Sequence, residues 1–322
     1  MYKIDWKITI DGRDLRILDS VEITRDTENL TDSAVIKLPS WVYNRYIKDV
    51  DTIKRDQTVS ISLGYDGDLH QEFSGYIRSV ERDPSGLVIN CQDEIYKFNQ
   101  TIMEDKPYDK PTVKDLLNVV IMAVQPDLKL NCKYDFAYDK FTIKNATALD
   151  VLKTIQDECH CMMYIKDGVF NVTPPYITPE STKIVRYDTS KNVMADGYSL
   201  KYKDKEDRKL KVTAKGKDKT GKELTAERGE GGGDTETFDY KGIATQEMLD
   251  SIADNMYATK SFSGYEGGFQ AWYLPLVSKG DTADISDPND PDRNGKYFIK
   301  SVVTTCSSGG ITRKITLGKK LS

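Results

Sequence analysis

What is scarce in this sequence narrows its chemistry first. Its 322 residues include two histidines, His70 and His160, so catalysis or metal binding through imidazole has little to draw on. No apolar run approaches the roughly 18 residues that a membrane span needs. The opening MYKIDWKITIDGRD has neither the basic start nor the apolar stretch of a signal peptide, so neither membrane insertion nor export by that route is expected. Positive charge is not in surplus: 46 lysines and arginines stand against 51 acidic residues, a formal net charge of −5. Non-specific nucleic-acid binding rests on neutralising many phosphates, and bulk charge argues against it here. The cysteines number five, an odd count without regular spacing, and read as the reduced thiols of a protein assembled in the cytoplasm.

What is present is alternation. In the first hundred residues WKITID, VEITR, AVIKLP, VSISLGY, FSGYIRSVE and LVINCQD place apolar and polar side chains in turn, as strands with one buried face do. Asp11-Gly12, Asp66-Gly67 and Pro84-Ser85-Gly86 supply the turns between them. Six short strands so spaced predict a sandwich or barrel.

Near residue 101 the period changes. Val113, Leu116, Leu117, Val120 and Val124 form a helical stripe, with Thr112 as N-cap and Asp115 three residues on. Thr147 and Asp150 repeat the device ahead of Val151, Leu152 and Ile155. A hairpin turning at Asp167-Gly168 follows, and the proline-rich TPPYITPE (173–180) marks a boundary. Beyond it SLKYKD and KLKVTAKGKDKTGKELTAE read as strands, RGEGGGDTE as a loop, and TQEMLDSIADNMYA as a helix with Leu249, Ile252, Ala253 and Met256 on one face. DTADIS, KYFIKSVVTT and ITRKITLG are strands again.

One pattern occurs twice. RDQTVSIS, a loop and GYIRSVERDPSGLVINC in the front of the chain match KGDTADIS, a loop and KYFIKSVVTTCSSGGITRKITL at the rear. Ile77, Ser79 and Val80 align with Ile299, Ser301 and Val302, and a basic residue, Arg78 or Lys300, sits between. The expected fold is therefore α+β and mainly β. Two related antiparallel β-barrel domains occupy 1–100 and the discontinuous 177–235 with 261–322. A small α+β domain lies at 101–176 and a helical insertion at 236–260. Three copies of a two-barrel chain make a ring of six similar barrels, three-fold by symmetry and near six-fold in shape.

VSISLGYDG, FSGYIRSVE, LVINCQDEIYKF, TVKDLLNVVI, DVLKTIQDECHCMMYIKDGVFNVTPP and the closing GKYFIKSVVTTCSSGGITRKITL together resemble the baseplate hub of contractile phage tails, the late control protein D family, which includes Mu-like tail proteins and the base of type VI secretion spikes. The resemblance follows element order over nearly the whole chain. Its best-defined motif is Gly64, Tyr65, Asp66 and Gly67 followed by Phe73 and Gly75, a structural turn. It implies a homotrimer in the virion baseplate or a related injection particle. That trimer would join the tail tube protein to a central spike protein, touch other baseplate proteins, and line a channel that DNA or cargo only passes through. With no β-helical extension in the sequence, the spike is expected on a separate chain.

Candidate chemistry is thin, and no catalytic, cofactor or metal residues are assigned. Cys159, His160 and Cys161 stand together, but neighbours on a strand face opposite ways, and buried thiols at a helix–strand junction are the expected reading. The alternative function is a peptidoglycan-degrading tail hydrolase. It would need a Cys–His pair using His160 or His70, the latter in the loop of the opening hairpin, or a carboxylate pair such as Asp93-Glu94 or Asp157-Glu158. DPDRNG (290–295) begins like an EF-hand loop, yet Ser301 stands where the final acid belongs, and a hairpin tip is expected. RGEGGGD lacks the Lys-Ser/Thr of a phosphate loop. The lysines from 201 to 222 alternate with acids and read as a solvated hairpin.

Overall fold

The computed structural model describes residues 3–39, 41–42, 45–46, 52–82, 86–134, 137–174 and 183–321. Pro84-Ser85 and most of the TPPYITPE boundary lie outside these residues.

The front of the chain supplies β1 (Ile4–Ile10), β2 (Arg13–Asp14), β3 (Ser20–Asp26), β4 (Ser33–Pro39), β5 (Trp41–Val42), β6 (Arg45–Tyr46), β7 (Thr58–Tyr65), β8 (Asp68–Arg82) and β9 (Gly86–Gln92). Ala34, Ile36 and Leu38 on β4, and Leu87, Ile89 and Cys91 on β9, are buried at every second position, as a pleated strand requires. The short α1 (Tyr96–Gln100) leads into the middle of the chain.

The middle holds β10 (Lys106–Asp109), α2 (Val113–Val124), β11 (Lys129–Cys132), β12 (Lys140–Ile143), α3 (Ala148–Cys159), β13 (Met162–Lys166) and β14 (Val169–Thr173). Both long helices begin with full capping boxes. Thr112 and Thr147 accept from the backbone N–H of Asp115 and Asp150, whose carboxylates accept in return. α3 ends at His160 in the left-handed region, and the β13–β14 hairpin turns on Asp167 and Gly168, both with positive φ.

The rear carries β15 (Ile184–Asp188), β16 (Val193–Met194), β17 (Lys201–Lys203), α4 (Lys205–Arg208), β18 (Lys211–Lys217), β19 (Glu223–Gly229), β20 (Thr235–Ile243), α5 (Gln246–Lys260), β21 (Gly264–Glu266), β22 (Gly268–Trp272), β23 (Thr282–Ser286), β24 (Gly295–Ser307) and β25 (Gly310–Lys320).

One sheet joins the two ends of the chain, in the order β16-β22-β25-β24-β3-β4-β9-β8-β7-β1-β2, with β23 also on β24 and β15 on β23. It contains one strand order twice. In the front unit the neighbours run β1-β7-β8-β9-β4-β3, and in the rear unit β15-β23-β24-β25-β22-β16, with counterparts met in the same sequence along the chain. The match extends to irregularities. Register shifts fall between Ile77 and Ser79 on β8, and between Ile299 and Ser301 on β24, so Arg78 and Lys300 are the extra residues of equivalent bulges. Ahead of β7, Asp56 has φ 70° and donates to the Ile77 carbonyl; ahead of β23, Gly280 has φ 78° and donates to the Ile299 carbonyl.

The halves also differ from the expectation. Among the described residues no strand pairing closes either one into a barrel, because β3, the front unit's last strand, pairs with β24 of the rear. β1 runs antiparallel to β7 whereas β15 runs parallel to β23. The stretch between β16 and β22 is longer than the single helix placed at 236–260. β18, β19 and β20 form their own sheet, and Val212, Ala214, Ala226 and Phe238 share a core with Leu116 and Leu117 of α2, Leu152 of α3 and Leu249 of α5. These strands, grouped by sequence with the second β unit, thus bury their apolar face against the middle of the chain. Two further cores fill the front and rear units, and Tyr273, Cys306 and Ile311 of the rear reach into the front one.

Candidate functional site

The opening hairpin is a two-residue turn between β7 and β8. Asp66 (φ 52°) and Gly67 (φ 86°) both lie in the left-handed region, the geometry that matches strand twist in a tight hairpin. The Asp66 carboxylate accepts from the Lys3 N–H at 2.9 Å, tying the turn to the start of β1. Gly64 is required by space: a Cβ there would lie 1.8 Å from the Asp68 carbonyl oxygen. Gly75 is similar, 2.1 Å from the Gln92 oxygen where β8 leaves β7 for β9. Phe73 is buried opposite Ile61, and the Tyr65 hydroxyl donates to the Ile311 carbonyl across the junction of the two units.

That hairpin also carries a bulge. Ile61 pairs with Phe73 and Ser62 with Gln71, leaving Glu72 as the extra residue. Alternation would turn Glu72 to water next to buried Phe73; the bulge re-aims it inward, and both are buried. There Glu72 Oε1 lies 2.6 Å from the Arg313 guanidinium, and Oε2 lies 3.0 Å from that of Arg25, which also donates to the Glu72 carbonyl. Arg313, 1% exposed, donates further to the Tyr273 and Val277 carbonyls and stacks over the Tyr273 ring. The single proton of the Tyr273 hydroxyl is shared between the Leu63 carbonyl at 2.8 Å and Glu72 Oε1 at 2.9 Å. Both carboxylate oxygens of Glu72 thus face a guanidinium, and Arg313 is bonded through all three of its nitrogens, which offsets the cost of removing the charges from water.

A second cluster brings in the middle of the chain. Lys279, 2% exposed, pairs with Asp32 at 2.6 Å and sits over the Tyr164 ring of β13. Lys166 of the same hairpin pairs with buried Asp281 at 2.6 Å. The Asp32 N–H donates to Asp93, whose own N–H returns a bond to the Asp32 carbonyl. Burial and the neighbouring Asp32 charge push Asp93 up to about 7; burial also raises Asp32, against the pull of Lys279. A cleft of about 410 Å³ opens beside the two clusters, with His70 and Lys166 on its wall. Arg25, Glu72, Arg313, Asp32 and Lys279 are committed to one another, so the arrangement joins front, middle and rear.

The residues considered for chemistry are scattered. His70 lies on β8 instead of in a loop, because the turn needs only two residues; it is 3.3 Å from the Asp68 carboxylate. His160 caps α3 and its ring meets the Phe238 edge. Cys159 and Cys161 flank it at the helix–strand junction, buried, with burial raising the Cys159 thiol to about 11 and Cys161 well above its ordinary value. Asp93 belongs to the ionic junction, while Glu94 accepts from Gln125. Pro291–Arg293 form a 3-10 turn in the connection between β23 and β24. Among the described residues no group of three or more His, Cys, Asp or Glu is placed to hold a metal ion.

Sequence reasoning did not single out Glu72, Arg313, Lys279 or Asp281. Arg313 left a signal: it occupies the apolar phase between Ile311 and Ile315 on β25. Glu72 left none, since a bulge is invisible until strands pair.

No protein-family model and no curated protein sequence matches the chain. Its fold is similar to those of solved tail and secretion proteins. The 43 kDa tail protein of prophage MuSo2 from Shewanella oneidensis aligns with a TM-score of 0.70 at 14% identity, over 98% of each chain. The tail protein from Neisseria meningitidis MC58 aligns with a TM-score of 0.65 at 14% identity, over 99% of this chain and 97% of that one. An Escherichia coli component of the type VI secretion system aligns with a TM-score of 0.57 at 10% identity, covering 97% of this chain and 76% of that one.

Proposed function

We propose that this chain is a structural hub of a contractile tail or related injection particle: a homotrimer that forms a pseudo-six-fold ring between the tail tube and the central spike. On this reading it is not an enzyme, and DNA or cargo only crosses its channel. The shared fold with tail proteins from end to end supports a tail role.

The observation that carries the ring is the duplicated strand order. Within one chain, front β3 pairs with rear β24. Their counterparts are rear β16 and front β8. β16 is the last strand of the sheet, and Ser79–Glu81 of β8 has no strand partner on the β7 side among the described residues. A neighbouring copy that presents its β16 to this β8 repeats the internal contact, and three such steps alternate two like contacts around six β units. The two expected barrels then become six arcs of one assembly, with residues 101–174 and the stretch between β16 and β22 carried outside the duplicated frame. Trp272 and Leu274, each 52% exposed on the rear unit, supply apolar surface for neighbours in the particle.

Mass measurement in solution, alone and with co-expressed tube and spike proteins, tests the proposal. A trimer in either setting is expected. A monomer that binds neither tube nor spike would overturn it. Peptidoglycan zymography is expected to show no clearing, and clearing would favour the hydrolase.

A further inference from the structure

β12 is a strand with one open side. Among the described residues it pairs with β10 alone, and the Lys110 N–H donates to the Asp139 carbonyl just before that ladder. Strand alternation counted from this bond turns the N–H and C=O of Lys140 and Thr142 away from β10. Pro107, which has no N–H, faces Thr142 at a position of the ladder where none is needed. On the open side lies a groove of about 460 Å³ lined by residues 140–144 together with Thr154 and Glu158 of α3 and Lys241 of β20. Its rim is basic. Lys140, Lys144 and Lys241 are exposed and have no ion-pair partner among the described residues, on a chain whose net charge is −5. A second hollow next to it shares Lys241 and is of mixed charge, with Lys215 and Lys217 beside Glu223 and Asp239, so the basic stretch is confined to the groove itself.

We propose that this groove binds an extended acidic segment of a partner protein, which adds a strand to β12 and sets its carboxylates against Lys140, Lys144 and Lys241. Backbone groups at Lys140 and Thr142 supply register, the lysines supply charge selection, and buried Phe141 and Ile143 keep the edge flat against the core below. The competing account is that these lysines only guard an edge strand against pairing. A nucleic-acid strand would use the same lysines without the backbone edge.

A fluorescein-labelled octapeptide of alternating Glu and Val, titrated at low salt with the full-length protein, separates the three. The expected result is saturable anisotropy, lost on exchange for a Lys/Val octapeptide. Affinity is expected to fall roughly tenfold or more in a Lys140→Glu, Lys144→Glu, Lys241→Glu variant. Thr142→Pro, which removes the outward N–H without removing a ladder hydrogen bond to β10, is expected to weaken binding by more than it lowers the melting temperature, with Thr142→Ala as the control that keeps the N–H. Lys241→Glu alone, on a different element, keeps the test open if the triple variant melts early. Absence of peptide binding, equal binding by wild type and variants, or tighter binding of oligothymidylate would each overturn the proposal.

Discussion

The turn at Arg55-Asp56-Gln57 and the turn at Lys279-Gly280-Asp281 are one backbone device in two settings. Each enters its strand through a left-handed residue and bonds to the same bulged partner, at Ile77 or at Ile299. In the front unit the Arg55 and Asp56 side chains are mostly exposed, and both bond to the Tyr96 hydroxyl. In the rear unit the Lys279 and Asp281 side chains are buried against the middle hairpin and the front unit. The two units share the frame, and burial makes one copy of the turn a joint. The same holds around the frame. Front β7 and β8 meet in two residues, whereas the rear connection between β23 and β24 is longer and carries a 3-10 turn. Outer connections can vary where backbone groups face water, while the inner ladder cannot.

Substitution at equivalent sites should break the comparison most sharply. Lys279→Met leaves Asp32 buried without its ion-pair partner and is expected to cost about 3–5 kcal/mol by urea denaturation. Arg55→Met, its front counterpart, should be indistinguishable from wild type. In the other cluster, Arg313→Met should lose about as much, and adding Glu72→Met should restore only part of it, because the second change relieves the unpaired carboxylate but also takes away the partner of Arg25.

The pH dependence comes next. Asp93 sits near 3.8 when unfolded and is pushed up to about 7 when folded. Between those values the folded protein holds a proton that the unfolded chain has released. Stability should therefore fall as pH rises through that window, by at most ~1.4 kcal/mol per pH unit, and level off above it. Denaturation at a series of pH values should show a shallower slope for Asp93→Asn.

Gly280→Ala, which forces a Cβ into the left-handed region, should cost about 1–2 kcal/mol even though Asp56 occupies the equivalent place in the front. The smallest effect is expected at the caps. Thr112→Ala or Thr147→Ala should each cost about 1 kcal/mol in thermal melts, without altering the frame.

Much of this was legible along the chain. The capping boxes at Thr112 and Thr147 were readable because a cap involves residues three apart. The face of α5 was readable because helical period is local: Leu249, Ile252, Ala253 and Met256 are its buried residues. Even the repeat was visible, and Arg78 and Lys300, noted only as basic residues between matched positions, are the bulged residues of both copies. The ionic junction was not legible, apart from the out-of-phase Arg313. A charged side chain in a strand reads as solvated unless its partners are known, and those of Glu72, Arg25 and Arg313, are 47 and 241 residues away.

Neighbours along the chain set most of the elements: which stretches alternate, which wind into α2, α3 and α5, where α2 and α3 start, and that a strand–loop–strand pattern occurs twice, while the short α1 and α4 carry no such local signal. Those outcomes depend on side chains within a few positions of each other. Long-range packing settled that β3 joins β24, that the strands between β16 and β22 cover the middle of the chain, and that Glu72 turns inward. Such choices depend on which distant surfaces exclude water together, and on whether a buried charge meets its counterpart when they do.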